Sequence, residues 1–286
     1  MHVPVMVGEC LEYLAVRPDG IYLDATAGMG GHTSAIAARL TTGLVIANDR
    51  DAESLEMAKR NTAQWADRIR YHHGSFADLR SALAAAGVER VNGLVADLGV
   101  SRYQLTEPER GFSLMAEGPL DMRMDRSQAR TADEIVNFSS EKDLADLIYQ
   151  FGEERRSRRI SRAIVRARPI HTTQRLSRVI EVAVPRTSKL HPATQTFMAL
   201  RMAVNDEQGQ LDRLLAIAPD LVASGGRMVI LSFMSLEDRK VKQSFQALAR
   251  AGRATVLTRH VLRPASEEIN NNPPSRSAKL RAVEMR

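Results

Sequence analysis

The stretch Gly20-Ile-Tyr-Leu-Asp-Ala-Thr-Ala-Gly-Met-Gly-Gly-His-Thr33 constrains this chain more than any other. It reads as a short apolar strand, Ile21 to Leu23, ending on an acid, Asp24. A turn with Gly28, Gly30 and Gly31 follows, and Ala35 to Ala38 open a helix. Glycine takes positive φ without steric cost and lets the backbone approach a ligand closely. The helix start presents unpaired N–H groups to the same place. The pattern is G-x-G-G and not the full dinucleotide fingerprint, so the turn alone also fits a tight connection. The second strand narrows the choice. Leu44 to Ala47 is apolar and runs into Asn48-Asp49-Arg50-Asp51, and an acid there is where a ribose diol is gripped. Glycine turn and acid together predict an adenosine-type cofactor.

A fourth strand, Gly93 to Asp97, also ends on an acid. Asp24, Asp49 and Asp97 would then line one edge of a parallel sheet, outside whose carboxyl ends ligands bind. Ile69 to His73 reads as the third strand, followed by a turn with Phe76, whose ring fits either against an adenine or into the core. His72 and His73 have no ligand-spaced partners, so no metal site is expected.

The α/β rhythm stops after the fourth strand. Residues 105–190 show no buried strand and read as loops and helices, and the rhythm resumes at Leu190. Residues 1–104 and 191–286 are therefore expected to form the core, and 105–190 an inserted helical domain. Glu153–Arg168 reads as a basic helix closed by Pro169, with Arg155, Arg158, Arg162 and Arg166 on one stripe. Residues 151–190 carry eleven lysines and arginines against three glutamates, a net +8 within a chain of net +6. The remainder is thus −2, and the positive charge is concentrated as a phosphate-backbone footprint would be. A merely solvated helix face is the bland alternative. Two strands, Thr255–Val261 and Lys279–Met285, are expected at the end, after a fifth at Arg227–Phe233.

Composition excludes several classes. Hydrophobic residues make up 44% of the 286, so wholesale disorder is not expected. No apolar run is long enough to span a bilayer, and the first residues lack the marks of a secretion signal. The single Cys10 rules out an internal disulfide framework, reads as a small buried hydrophobe, and fits a cytoplasmic protein.

The ordered strings go further. His2-Val-Pro-Val, Asp24-Ala-Thr-Ala-Gly-Met-Gly-Gly-His-Thr33, Asp97-Leu-Gly-Val-Ser101, Arg110-Gly-Phe-Ser, Gly118-Pro-Leu-Asp-Met-Arg-Met-Asp125, Phe151-Gly-Glu-Glu154, His191-Pro-Ala-Thr and Ser232-Phe-Met-Ser-Leu-Glu-Asp-Arg239 are present. Together they resemble the bacterial small-subunit ribosomal RNA cytosine-N4 methyltransferase family. The resemblance implies a Rossmann-like, seven-stranded α/β core with a helical domain inserted after strand four. It implies S-adenosylmethionine as cofactor, with contacts at Gly30, Gly31, His32, Asp49, Phe76, Asp97 and Gln104. It also implies a cytidine in the decoding region of 16S rRNA, in the small ribosomal subunit, as the target. Met234 stands where the family usually has His. The oligomeric state is left open, a homodimer included.

Transfer to N4 requires an acceptor for the proton that the amine releases. Asp97 is the nearest acid by topology, and Asp121 and Asp125 in the insertion are alternatives whose bland role is a salt bridge to Arg123 or Arg126. C5-methylation would need a cysteine nucleophile, and Cys10 precedes the first strand. A nicotinamide oxidoreductase and a non-catalytic RNA-binding protein are the competing classes.

Overall fold

In the computed structural model, residues 4–186 and 190–286 are described; Lys189 and the start of the His2-Val-Pro-Val string lie outside them. The chain divides into two compact units, the first comprising residues up to Gly99 and Gln208–Arg286, the second Val100–Glu207.

The first unit is built on a seven-stranded sheet of β1 (Ile21–Asp24), β2 (Leu44–Asp49), β3 (Ile69–His73), β4 (Val91–Asp97), β5 (Val222–Ser232), β6 (Ala254–Val256) and β7 (Lys279–Met285). The order is β3-β2-β1-β4-β5-β7-β6, and β7 runs antiparallel to both of its neighbours. Side-chain alternation divides the core. Leu23, Ile46 and Leu94 face one layer with Leu79, Leu83, Leu214 and Phe245. Tyr22, Val45 and Val95 face the other with Met6, Cys10, Leu14 and Ile36. Both faces are covered, which is why the central strands read as continuous apolar runs. Strand order reverses between β1 and β4, so the sheet opens a crevice at their carboxyl ends. Asp24 and Asp97 end these two strands, and Asp49 ends β2.

β6 is shorter than Thr255–Val261. Beyond Val256 the Thr258 hydroxyl accepts the Ala282 N–H at 2.9 Å, so a side chain takes the place of a ladder carbonyl. β5 begins at Val222 and carries a register slip against β4 between Val91 and Gly93.

The second unit is helical, with the helices Ala132–Phe138, Glu141–Gly152, Ser157–Ala167, Thr173–Ala183 and Thr194–Val204 around Ile135, Leu144, Ile148, Ile160, Ile164, Leu176, Ile180 and Leu200. Thr194–Val204 was expected in the core unit. Phe197 and Leu200 instead join this second cluster, so the unit runs to Glu207 and not to 190. The basic helix starts at Ser157 and not at Glu153, because Glu153 turns into the left-handed region (φ 51°) and Glu154 is buried at the corner. Gly152 permits that corner: a Cβ there would lie 2.5 Å from the Gln195 carbonyl oxygen.

Candidate active site

Gly28 and Gly30 both have positive φ, at 52° and 88°. A Cβ on Gly30 would sit 2.8 Å from Thr62 Cγ2 and 3.2 Å from Ala58 Cα. One on Gly31 would sit 2.7 Å from Pro4 Cβ. Packing of the turn against its own surroundings therefore already demands glycine at Gly30 and Gly31. The helix Gly31–Ala37 starts here, and its first amides have no carbonyl partner within the helix.

Asp49 anchors the turn. Its Oδ2 accepts the Gly28 N–H at 2.7 Å and its Oδ1 the Asp51 N–H at 2.8 Å. Burial pushes its carboxyl up to about 6, against the hydrogen bonds that favour the charge. Asp51 itself caps the helix Ala52–Asn61 through Oδ1 to the amides of Glu53 and Ser54. Asp24 is buried and also raised by its burial, with its oxygens on the Thr26 N–H (3.2 Å) and the Thr33 hydroxyl (2.7 Å).

Asp97 differs from these two. Its N–H donates to Thr26 Oγ1 at 2.7 Å, but its carboxylate Oδ1 is buried and has no hydrogen-bond partner. Oδ2 lies 3.9 Å from His32 Nδ1. Burial pushes this carboxyl up to about 6, with the charges of Asp24 and Glu237 acting in the same direction and His32 opposing. His32 Nε2 is 3.0 Å from the Val5 carbonyl, which only accepts, so Nε2 carries the proton and Nδ1 is the atom turned toward Asp97.

Phe76, in the turn Phe76–Asp78, is half-buried against the core layer that includes Leu79. Cys10 is buried, and burial raises its thiol well above the ordinary value, as befits a packing residue. Asn48, which the sequence did not single out, is fully buried and ties the strand tips together. Its Nδ2 donates to the carbonyls of Ala25 (3.1 Å) and Gly74 (3.0 Å), and its Oδ1 meets His72 Nδ1 at 2.9 Å. At the end of β5, Glu237 Oε2 accepts the N–H groups of Phe233 and Met234. Glu237 thus caps the helix Ser235–Arg250. Asp238 instead pairs with Arg281 at 2.6 Å.

The other sequence candidates lie in the second unit. Gln104 is buried and closes a capping box on the helix Arg102–Thr106, its Oε1 accepting the Ser101 N–H at 2.9 Å. Asp121 is held by Arg123, Oδ1 to Nε at 2.7 Å and Oδ2 to Nη2 at 2.9 Å. Burial pushes its carboxyl up, but the hydrogen bonds and charge of Arg123 outweigh that and leave it below the ordinary value. Asp125 Oδ1 accepts from the Ser127 amide and hydroxyl. Arg155, Arg158, Arg162 and Arg166 are exposed. Two other arginines of the basic segment point inward: Arg156 pairs with buried Glu154 at 3.1 Å, and Arg168 donates to the carbonyls of Val136 and Ser139.

A sheet of this order, reversed at β7, with a glycine turn and acids at the tips of β1, β2 and β4, defines a Rossmann-like S-adenosylmethionine-dependent methyltransferase. More particularly, the sequence model of the MraW methylase family matches residues 1–286, and the chain belongs to that family. It is an enzyme whose methyl donor is S-adenosylmethionine. A Solibacter usitatus protein named ribosomal RNA small subunit methyltransferase H is 66% identical over 286 residues, covering 100% of both chains. A Koribacter versatilis protein of the same name is 49% identical over 294 residues, covering 99% of this chain and 93% of that one. A solved chain from Clostridium thermocellum, described as a candidate rRNA methylase, shares the fold with a TM-score of 0.51 at 11% identity, covering 100% of each. Among the described residues no helix is long and apolar enough to cross a membrane.

Proposed function

We propose that this chain transfers the methyl group of S-adenosylmethionine to the exocyclic N4 of one cytidine in the decoding region of 16S rRNA, in the small ribosomal subunit. The observation that carries the reading is the buried, unpartnered Oδ1 of Asp97 at the β1–β4 crevice. A buried polar atom without a partner is rare in a native protein and implies a ligand group that completes it. Full-length relatives named for small-subunit ribosomal RNA support the choice of substrate.

The residues present fit the donor. A carboxylate offers about four lone-pair sites. Asp49 uses one on each oxygen for the turn, and the rest accept from a ribose diol. Gly30, Gly31 and His32 shape the turn against which the donor lies, and Phe76 borders it. Gln104 joins this set on the family resemblance. When bound, S-adenosylmethionine supplies an electrophilic methyl on a cationic sulfur.

Cytosine N4 is a weak nucleophile because its lone pair is delocalised into the ring. The protein's contribution is to hold N4 in line with the methyl and to receive the proton that N4 loses as the N–C bond forms. Asp97 takes that proton. Asp121 is committed to Arg123 and Asp125 to Ser127, so neither is the acceptor. A carboxyl near 6 is ionised at neutral pH and still basic enough to accept. The target base has to leave its stack to reach the methyl. Arg155, Arg158, Arg162 and Arg166 of the inserted unit hold the flanking phosphates, which are the sequence-independent part of such an interface.

The test is incubation with isotopically labelled donor and small subunits, followed by mass mapping of the RNA. Label on the N4 of a single decoding-region cytidine is expected. Label on C5, on another RNA, or nowhere overturns the reading.

A further inference from the structure

The segment just before the helix Val7–Leu14 carries one peptide group with two long-range ties. The carbonyl of Val5 receives His32 Nε2 at 3.0 Å. The N–H of Met6 donates to Glu268 Oε1 at 2.7 Å, across 262 residues of sequence. Both atoms belong to the same planar, trans peptide unit, so the C=O and the N–H point in opposite directions. Whatever turns the Met6 N–H turns the Val5 carbonyl with it. A carboxylate on the N–H also polarises the unit and makes its oxygen the better acceptor for His32.

The peptide sits where the backbone is held against its preference. Met6 is buried and left-handed, at φ 51°, a conformation that a residue with a side chain keeps only where its surroundings impose it. Val5 and Met6 pack in one apolar layer with Cys10, Ile36 and Ala278. Pro4 lies against Gly31 of the glycine turn. Glu268 stands half-buried on the short helix Ser266–Asn271. An anchor for this segment could hold any of its amides. Glu268 takes the one that shares a plane with the carbonyl facing His32.

We infer that Glu268 is a positioning residue of the active site. Through the Val5–Met6 peptide it holds the His32 ring with Nε2 as the donor, so that Nδ1 carries the lone pair and is turned toward Asp97 Oδ2. This rests on the reading of Asp97 as proton acceptor given above. Once Asp97 has taken the N4 proton, its carboxyl faces a ring nitrogen that can accept, and not a second N–H.

The test uses the full chain with histidine labelled at its ring nitrogens, the His32 signals being assigned by their loss from a His32→Gln protein. Ring-nitrogen resonances report which nitrogen carries the proton, and urea unfolding checks the fold. In the unaltered protein His32 shows a single tautomer, protonated at Nε2. In Glu268→Ala the ring becomes a mixture of tautomers, and single-turnover transfer to small subunits at saturating donor falls about tenfold or more. Glu268→Gln keeps an acceptor for the Met6 N–H and restores both. Glu268→Asp keeps the charge but is one methylene short. It gives the alanine result and serves where the alanine protein does not fold. A native tautomer in Glu268→Ala and Glu268→Asp overturns the inference, whatever happens to turnover. So does a mixed tautomer at native turnover. A glutamine protein as impaired as the alanine one overturns the route through the peptide and leaves charge as the cause. Unchanged turnover in Asp97→Asn overturns the reading of Asp97 instead, since the tautomer of His32 is measured independently of it.

Discussion

His32 Nδ1 stands 3.9 Å from Asp97 Oδ2, and it faces that way because Nε2 is held by the Val5 carbonyl. The imidazole is thereby fixed as the neighbour of the one strand-tip acid that keeps an unpartnered oxygen. Asp97→Asn keeps the shape of the side chain and removes its ability to take a proton. At saturating donor, single-turnover transfer falls by about 10²- to 10⁴-fold, the usual worth of a positioned base. Donor affinity, measured by calorimetry, changes by less than about tenfold, because an amide still hydrogen-bonds. Unchanged turnover in this variant removes Asp97 as the acceptor.

The same burial sets a pH dependence. The carboxyls of Asp49 and Asp97 are both raised from 3.8 to about 6. Folded values above the unfolded ones mean that the native state binds more protons between these limits. The free protein therefore loses stability as pH rises from about 4 to about 6, and the loss is complete above that. A cationic donor favours the ionised carboxylates. Donor affinity rises with pH through about 6 and levels off above it. Calorimetric titration across this range checks the sign, and affinity that falls with rising pH contradicts it.

The strand tips were legible because each acid closes an apolar run, and the sheet places Asp24, Asp49 and Asp97 as that pattern implies. What fastens them was not. Asn48 reads as one more polar residue before a turn, and its role depends on carbonyls at Ala25 and Gly74 that are distant in sequence. The Val5–His32 contact is equally non-local. The helix Thr173–Ala183 did leave signals, a Thr172 cap and apolar Leu176 and Ile180 one turn apart, which the density of arginines obscured. The end of the second unit was misplaced for a different reason. Phe197 and Leu200 are spaced for a core, but spacing does not say which core.

Gly30 tests whether the turn's glycines answer to the fold before they answer to the donor. Gly30→Ala imposes φ 88° on an L side chain and drives its Cβ against Thr62 and the Ala58 backbone. A cost of about 1–3 kcal/mol follows, measured by urea unfolding without donor. Native stability combined with lost donor binding would place the requirement in the ligand instead.

The basic segment yields a prediction that separates charge from architecture. Arg156 and Arg158 are near neighbours with different duties. Arg156 pairs with Glu154, which is 3% exposed, and donates to the Pro185 carbonyl at 2.9 Å. Arg156→Ala leaves a buried carboxylate without its cation and costs about 2 kcal/mol of stability. Arg158 is exposed on the stripe. Arg158→Ala leaves stability within about 0.5 kcal/mol. It weakens RNA binding and lowers the slope of log affinity against log salt by about one, the signature of one lost phosphate contact. Arg156→Ala, measured below its unfolding temperature, keeps the native slope. If the two substitutions exchange effects, the stripe is a structural face and the phosphate contacts lie elsewhere. Counting arginines along residues 151–190 treats both alike. The buried Glu154 distinguishes them, because a carboxylate withdrawn from water must keep a cation beside it, whereas the exposed Arg158 guanidinium is available to a phosphate.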